Sequence, residues 1–460
     1  MPDFTIHPAS YRDPSGFVFR HEDQWYRQLN TAYREDYLRL MDSGLYDELI
    51  TAGLLLPHRE VPENFTDSAD WFKTLLPKQL TFISLPEEWS PAQLKDAALC
   101  TLAITRIAID HGMILKDATP RNIQFPGGRP VLIDTLSFER YDPARPWVAY
   151  RQFCECFLYP LFLHRYYGSG THRIVSAWPD GIPAAITARM LPFRSRMRLG
   201  AWLHVFLPAM ISRRTNKDAP LPAFSKTRLL HLLSNLEDVV RKLDSRAFRD
   251  PGWSDYYEKS ILSKTYLDEK QALFTSMIGG IDFSSALDLG ANNGHFSRIL
   301  AEKGIPVIAA EADWQCVETL YRAGGSESHP IQALCVDIAN PTPATGFDHR
   351  ERSSFSDRAV SDLVVALALI HHLVLGRNIP LPMVARYLAR LTRRWLLIEF
   401  VPPGDERSMQ LVRNKSAYPT PYDEAEFEKQ FSAFFTIDDK APVPGTRRVL
   451  YRMRKIPIFA

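Results

Sequence analysis

Cysteine is scarce in this chain: five in 460 residues, an odd number (Cys100, Cys154, Cys156, Cys316 and Cys335). A disulfide framework therefore does not hold the fold. Cys154-x-Cys156 has no second pair and no nearby histidines, so no metal site is expected and a cytoplasmic setting with reduced thiols is. No segment reaches the ~18 uninterrupted apolar residues that span a membrane. The nearest approach, Leu199 to Ile211, is shorter and carries His204 and Pro208. Arg189, Arg194, Arg196, Arg198, Arg213 and Arg214 flank it, which leaves two readings open: a buried helix with a solvated basic rim, or a peripheral membrane contact. The opening residues, Met1 to His7, lack the basic region and apolar core of a secretory signal. Net charge is only +2, which gives no general case for nucleic acid. Arg213, Arg214 and Lys217 lie in a basic stretch without an aromatic stacking platform, so a solvated linker is expected there rather than an RNA surface. There is no internal repeat and no low-complexity run.

What remains is a globular composition, 45% apolar and 23% charged, in a chain too long for one ordinary core. Punctuation divides it into residues 1–175, with short strands and amphipathic helices, residues 176–250, helical and basic, and residues 251–460. In the last section strands and helices alternate regularly, the mark of a parallel α/β sheet. Strands are expected at Ser285–Leu289, Pro306–Ala310, Gln332–Val336, Leu363–Leu369 and Trp395–Phe400. The intervening helices are expected at Phe296–Lys303, Trp314–Ala323 and Pro382–Leu391. Phe434–Ile437 and Arg448–Met453 read as a closing antiparallel pair.

Within that section, Leu287-Asp288-Leu289-Gly290-Ala291-Asn292-Asn293-Gly294-His295-Phe296-Ser297 carries an apolar strand into a glycine turn and then a helix. Only glycine lets backbone approach a nucleotide-type ligand this closely. A dinucleotide turn needs G-x-G-x-x-G, which would put small residues at Asn292 and His295. The spacing is instead D-x-G-x-x-x-G, with an acid ahead of the first glycine. It resembles the first motif of class I S-adenosylmethionine-dependent methyltransferases. The resemblance implies a Rossmann-like seven-stranded sheet with an antiparallel C-terminal hairpin, and a cofactor held by Asp288, Gly290, Asn292 and Gly294.

Two more acids follow at successive strand ends. Glu311 is suited to adjacent ribose hydroxyls and Asp337 to the exocyclic amine of adenine, the moieties held at these positions in the family resembled. Each alone also reads as a helix cap or turn former. The run Leu363 to Ile370 ends in His371-His372, either a general base for a hydroxyl or amine acceptor or a cap for the next helix. Glu399, at the next strand end, reads equally as acceptor-pocket lining or as a turn carboxylate. The Asn/Asp-Pro-Pro-Tyr signature of methyltransferases acting on amide or adenine nitrogen is absent. Tyr256, Tyr257 and Tyr266, with Lys264 and Lys270, precede the first strand and are expected to cover the cofactor as a lid.

In the N-terminal half, Lys116-Asp117-Ala118-Thr119-Pro120-Arg121-Asn122 precedes Val131-Leu132-Ile133-Asp134. An Asp, an Asn five residues on, and an Asp ending an apolar strand resemble the catalytic loop and metal-binding Asp of kinase-like folds. The resemblance implies an α+β domain with a nucleotide/magnesium site at Asp117, Asn122 and Asp134. Gly16 stands alone where a glycine-rich loop belongs, Arg27 replaces a lysine, and Thr135-Leu136 replaces Phe-Gly. ATP binding is open and phosphotransfer is put in doubt; a plain turn at Asp117 and Asn122 is the alternative. Together the halves are similar to a bacterial family that joins a kinase-like region to a methyltransferase, some of whose members carry a nodulation-protein label. The phrases Leu132-Ile133-Asp134-Thr135-Leu136-Ser137-Phe138-Glu139 and Ile398-Glu399-Phe400-Val401-Pro402 carry that likeness. The expected activity is methyl transfer to an oxygen or nitrogen of a small molecule, glycan or protein. The N-terminal half would recognise substrate or partner. A bifunctional kinase–methyltransferase and a non-catalytic cofactor-binding adaptor are the alternatives.

Overall fold

The computed structural model describes residues 4–168, 170–211, 225–243, 264–324, 331–413 and 421–457. Of the residues singled out above, Arg213, Arg214, Lys217, Tyr256 and Tyr257 lie outside these. The chain divides into two compact units, residues 1–250 with 344–353, and residues 251–343 with 354–460.

In the first unit, β1 (Phe4–Ile6), β2 (Gly16–His21), β3 (Gln24–Asn30), β4 (His58–Val61) and β5 (Trp71–Pro77) form an antiparallel sheet in the order β1-β2-β3-β5-β4. Helices α1 (Arg34–Asp42) and α2 (Leu45–Thr51) fall between β3 and β4. Leu29, Tyr33, Tyr37, Leu75 and Leu136 pack together as one small core. Helix α3 (Pro91–Asp110) starts where the sequence signals it. Ser90 Oγ accepts from the Gln93 amide, and Gln93 Oε1 accepts from the Ser90 amide, so two otherwise orphaned donors are satisfied. After α3 come β6 (Met113–Leu115), the hairpin β7 (Ile123–Gln124) and β8 (Val131–Leu132), and β9 (Phe138–Arg140), which pairs with β6. The helices α4 (Tyr159–Tyr167) and α5 (Lys226–Lys242) follow. The stretch 344–353, which interrupts the second unit in sequence, is anchored in the first by Glu351. Its carboxylate accepts from Tyr11 Oη (2.5 Å) and Arg12 Nη2 (2.8 Å).

The second unit opens with α6 (Lys264–Gly279) and contains one seven-stranded sheet. Its strands are β10 (Ala286–Leu289), β11 (Val307–Glu311), β12 (Ile331–Cys335), β13 (Ser361–Ala366), β14 (Thr392–Phe400), β15 (Phe435–Pro442) and β16 (Val449–Lys455). The order is β12-β11-β10-β13-β14-β16-β15, with the first five parallel and β16 inserted antiparallel between β14 and β15. Every residue of β10 and β13 is buried, the reason both read as apolar runs. Helices α7 (His295–Ala301), α8 (Trp314–Gly324) and α9 (Leu381–Leu391) connect the parallel strands. From β10 the chain moves outward to β11 and β12, then crosses to β13 on the other side. The switch point between β10 and β13 is where a sheet of this kind opens a crevice.

Candidate functional site

That crevice exists. A cavity of about 580 Å³ lies at the carboxyl ends of the parallel strands, walled by Asp288, Gly290, Asn292, Glu311, Asp337 and the segment Leu367–Leu369. The three strand-end acids named from the sequence therefore converge on one space. Each is held differently. Asp288, only 3% exposed, accepts from Ser297 Oγ at 2.6 Å, so the first turn of α7 orients it. Burial pushes its carboxyl up to about 6, opposed by the Ser297 bond and reinforced by Glu311 nearby. Glu311 accepts from the backbone amides of Asn292, Ala312 and Asp313, which clamps the glycine turn to the end of β11. Burial raises its carboxyl too, and those amides partly offset the rise. Asp337 accepts from the Ala339 amide at 3.0 Å and faces Arg377 Nη2 at 3.3 Å.

The two glycines of the motif serve different ends. Gly290 lines the cavity with φ of 73°, and a Cβ there would meet Leu369 Cδ1 at 3.4 Å. Gly294, with φ of 81°, caps α7; a Cβ there would fall 2.4 Å from Leu320 Cδ1. Gly290 thus gives backbone access to the cavity, whereas Gly294 lets α8 pack close. Asn292 sits between them in the wall of the cavity with φ of 50°.

His372 lines the cavity. Burial, then Arg407 and Arg448, push its imidazole down to about 4, so it is neutral at physiological pH. His371 lies behind it, 1% exposed, ring centroids 4.2 Å apart, and its Nδ1 is buried without a hydrogen-bond partner. His372–Gly376 wind as one π turn, a local widening that helices often show at functional positions. Glu399 is fully buried and stands outside the cavity wall. Its Oε2 accepts from Lys270 Nζ at 2.6 Å, and Arg448 Nη1 is 3.6 Å from its Oε1. Arg448 in turn donates to both oxygens of Asp405, at 2.9 and 3.1 Å.

Helix α6 contributes Tyr266, Leu267 and Lys270 to the wall, one face at helical spacing. Sequence reasoning missed Arg448, Asp405, Arg377 and Ala368. The last lines the cavity with φ of 48°, a conformation that costs a non-glycine residue about 1 kcal/mol or more and that no sequence pattern marks.

In the first unit the loop residues also come together. Asn122 Nδ2 donates to Asp117 Oδ2 (3.1 Å) and to Ser137 Oγ (3.0 Å), and Ser137 Oγ donates to Asp134 Oδ2. The other oxygen of Asp134 is ion-paired with Arg27 of β3. Burial, and then Asp134, raise the Asp117 carboxyl, whose Oδ1 is buried without a hydrogen-bond partner. Among the described residues no group of three or more His, Cys, Asp or Glu is placed to hold a metal ion, and all five cysteines are buried and none is joined in a disulfide.

No protein-family model matches the chain. A curated relative, nodulation protein NoeA of Rhizobium meliloti (strain 1021), is 28% identical over 457 residues, covering 97% of this chain and 95% of its own. Among solved structures, N-methyltransferase NodS from Bradyrhizobium japonicum WM9, in complex with S-adenosyl-L-homocysteine, is 12% identical with a TM-score of 0.33, over 44% of this chain and 97% of its own. The bifunctional kinase–methyltransferase WbdD is 19% identical with a TM-score of 0.29, over 45% of this chain and 42% of its own.

Proposed function

We propose that the second unit is an S-adenosylmethionine-dependent methyltransferase acting on an oxygen or nitrogen of a small-molecule, glycan or protein acceptor. One observation carries the reading. Carboxylates from three adjacent parallel strands line a single cavity at the topological switch point of a sheet whose last strand is inserted antiparallel. The residues present fit the cofactor. A buried anion, Asp288, suits an ammonium group, Glu311 suits paired hydroxyls, and Asp337 suits an exocyclic amine. Gly290 leaves the backbone open to the cavity without a side chain in the way. When bound, the cofactor supplies an electrophilic methyl group on a cationic sulfur.

The chain's own work is alignment and proton removal. Neutral His372 presents an imidazole to the cavity and can accept the acceptor's proton. His371 packs behind it. Glu399 acts as a positioning residue, holding Lys270 of the cavity wall from behind, with Arg448 on its other oxygen. Titration calorimetry of the wild type with S-adenosylmethionine tests the reading: saturable binding, lost in Asp288→Ala, is expected, and no heat from the wild type rejects it. If binding occurs but host extracts never receive a labelled methyl group, the non-catalytic adaptor replaces the enzyme.

For the first unit we infer a kinase-like scaffold that recognises substrate or partner and does not itself transfer phosphate. The Arg27–Asp134 ion pair supports this, because a guanidinium already neutralises the carboxylate that a magnesium ion would need.

A further inference from the structure

We propose that the helical run Leu199–Ile211, with the turn Phe193–Met197 before it, is a docking surface for an anionic lipid bilayer. The proposal is independent of the activity assigned to the second unit.

Its first support is an amphipathicity turned inside out. Surface helices show polar residues to water and apolar ones to the core. Here the thirteen residues from Leu199 to Ile211 include no charged side chain, and their one ionisable group, His204, points inward. His204 Nδ1 is 2.8 Å from Tyr150 Oη and its Nε2 is 2.7 Å from Asn235 Oδ1. Its carbonyl accepts from Tyr159 Oη at 2.7 Å. These three bonds, with buried Ala201, Val205 and Ala209, fix which face looks in. The outward residues are Leu199, Trp202, Met210 and Ile211. Phe193 and Met197 in the preceding turn are 75% and 85% exposed. An exposed apolar cluster of this kind marks an interaction surface.

Charge identifies the partner. Arg189, Arg194, Arg196 and Arg198 border the cluster, and no acidic residue occurs between Asp180 and Asp218. The Arg196 guanidinium lies over the rings of Phe193 (5.4 Å) and Phe206 (5.3 Å), tying the turn to the helix. A second copy of the chain fits poorly, since a two-fold pairing would set arginines against arginines with no carboxylate between them. A single-stranded nucleic acid would engage the arginines but leave Met197 and Leu199 uncovered. An anionic bilayer answers both features. Lipid phosphates take the guanidinium groups, the acyl boundary takes Phe193, Met197 and Leu199, and Trp202 lies at the headgroup level that indole rings favour.

The test is flotation of the full chain with vesicles of phosphatidylcholine and phosphatidylglycerol in equal parts, against phosphatidylcholine alone, at low and high salt. We expect flotation with the anionic vesicles only, released by salt. Met197→Ser with Leu199→Ser abolishes it while leaving the thermal melt unchanged. Arg194→Gln and Arg198→Gln each weaken it about fivefold. No flotation at low salt, or flotation unaffected by the Met197/Leu199 substitutions, overturns the proposal. So does equal, salt-insensitive binding to both vesicle types. A concentration-dependent dimer in light scattering that the Met197/Leu199 substitutions dissolve gives the surface to a second copy instead.

Discussion

Lys270 Nζ lies 2.6 Å from Glu399 Oε2, and the two side chains are 6% and 0% exposed. This buried pair ties α6, which walls the cavity, to β14, which lies between β13 and β16 in the sheet. Arg448 and Asp405 extend it into an alternation of two cations and two carboxylates. Burial depresses the Lys270 ammonium, and Glu399 counteracts that. Removing one partner strands a charge away from water, whereas replacing both removes the problem. Glu399→Ala is therefore expected to lower unfolding stability by about 3–5 kcal/mol. The double variant Lys270→Met/Glu399→Met should recover much of that loss. Urea unfolding of the three proteins checks it, and a single-variant loss below about 1 kcal/mol would show that the pair is not desolvated.

The glycines separate in the same kind of measurement. Gly294→Ala drives a Cβ into buried Leu320 and forces a left-handed backbone on alanine, so a loss of about 2–4 kcal/mol is expected. At Gly290 the nearest atom would be at ordinary contact distance, so only the backbone term of about 1–2 kcal/mol remains. Gly290→Ala should instead weaken S-adenosylmethionine binding, because its Cβ enters a cavity wall. Chemical unfolding paired with calorimetric Kd values distinguishes the two positions.

Asp288 sets a pH dependence. Its carboxyl is raised from 3.8 to about 6 in the folded chain, chiefly by burial. The native state then holds more protons than the unfolded state between those values, so this group's contribution to stability falls as pH rises from 4 to 6 and stays lost above. Asp288→Asn is expected to stabilise the protein at pH 7 by roughly 3 kcal/mol, at 1.4 kcal/mol per unit, while abolishing cofactor binding. In the wild type, cofactor affinity should drop about tenfold per pH unit below 6. Calorimetry at pH 5 and 7.5 measures that slope, and a flat profile removes Asp288 from the site.

The adjacent histidines divide the work. His372→Gln is expected to slow transfer of a tritiated methyl group into host extract by about 10²–10⁴ and to leave cofactor Kd unchanged. His371→Gln should chiefly lower stability, because that imidazole is enclosed behind the cavity wall. Equal rates in wild type and His372→Gln would assign both rings to packing.

For the first unit, incubation with γ-labelled ATP and magnesium should give no protein or product labelling. A signal that Asp134→Asn abolishes would instead make the chain bifunctional.

The second unit's sheet was largely legible because strands buried on both faces leave continuous apolar runs, and three of these carry an acid at or just past the carboxyl end. Leu287, Ile308, Leu334 and Val364 lie in such runs; Asp288 is the penultimate residue of β10, Glu311 the last of β11, Asp337 lies two residues past β12, and the run of β13 leads instead to His371 and His372. Strand ends were less clear. β14 begins at Thr392 because Arg393 and Arg394 reach water from within the strand, and charge there reads as loop. The Lys270–Glu399–Arg448–Asp405 alternation was illegible, since its members lie up to 178 positions apart and each alone resembles a surface charge. Nothing in the composition of Leu199–Ile211 says which face turns outward. That is decided by Tyr150, Tyr159 and Asn235, far away in sequence.

The position of β16 bears on how this unit comes to be made. The strand synthesised last of the seven does not sit at a margin but fills the gap between β14 and β15. Until Val449–Lys455 leaves the ribosome, both neighbours present unpaired amides and carbonyls to any passing chain. Products of premature termination should accordingly cluster or be degraded, and chaperone dependence should concentrate in the final moments of translation.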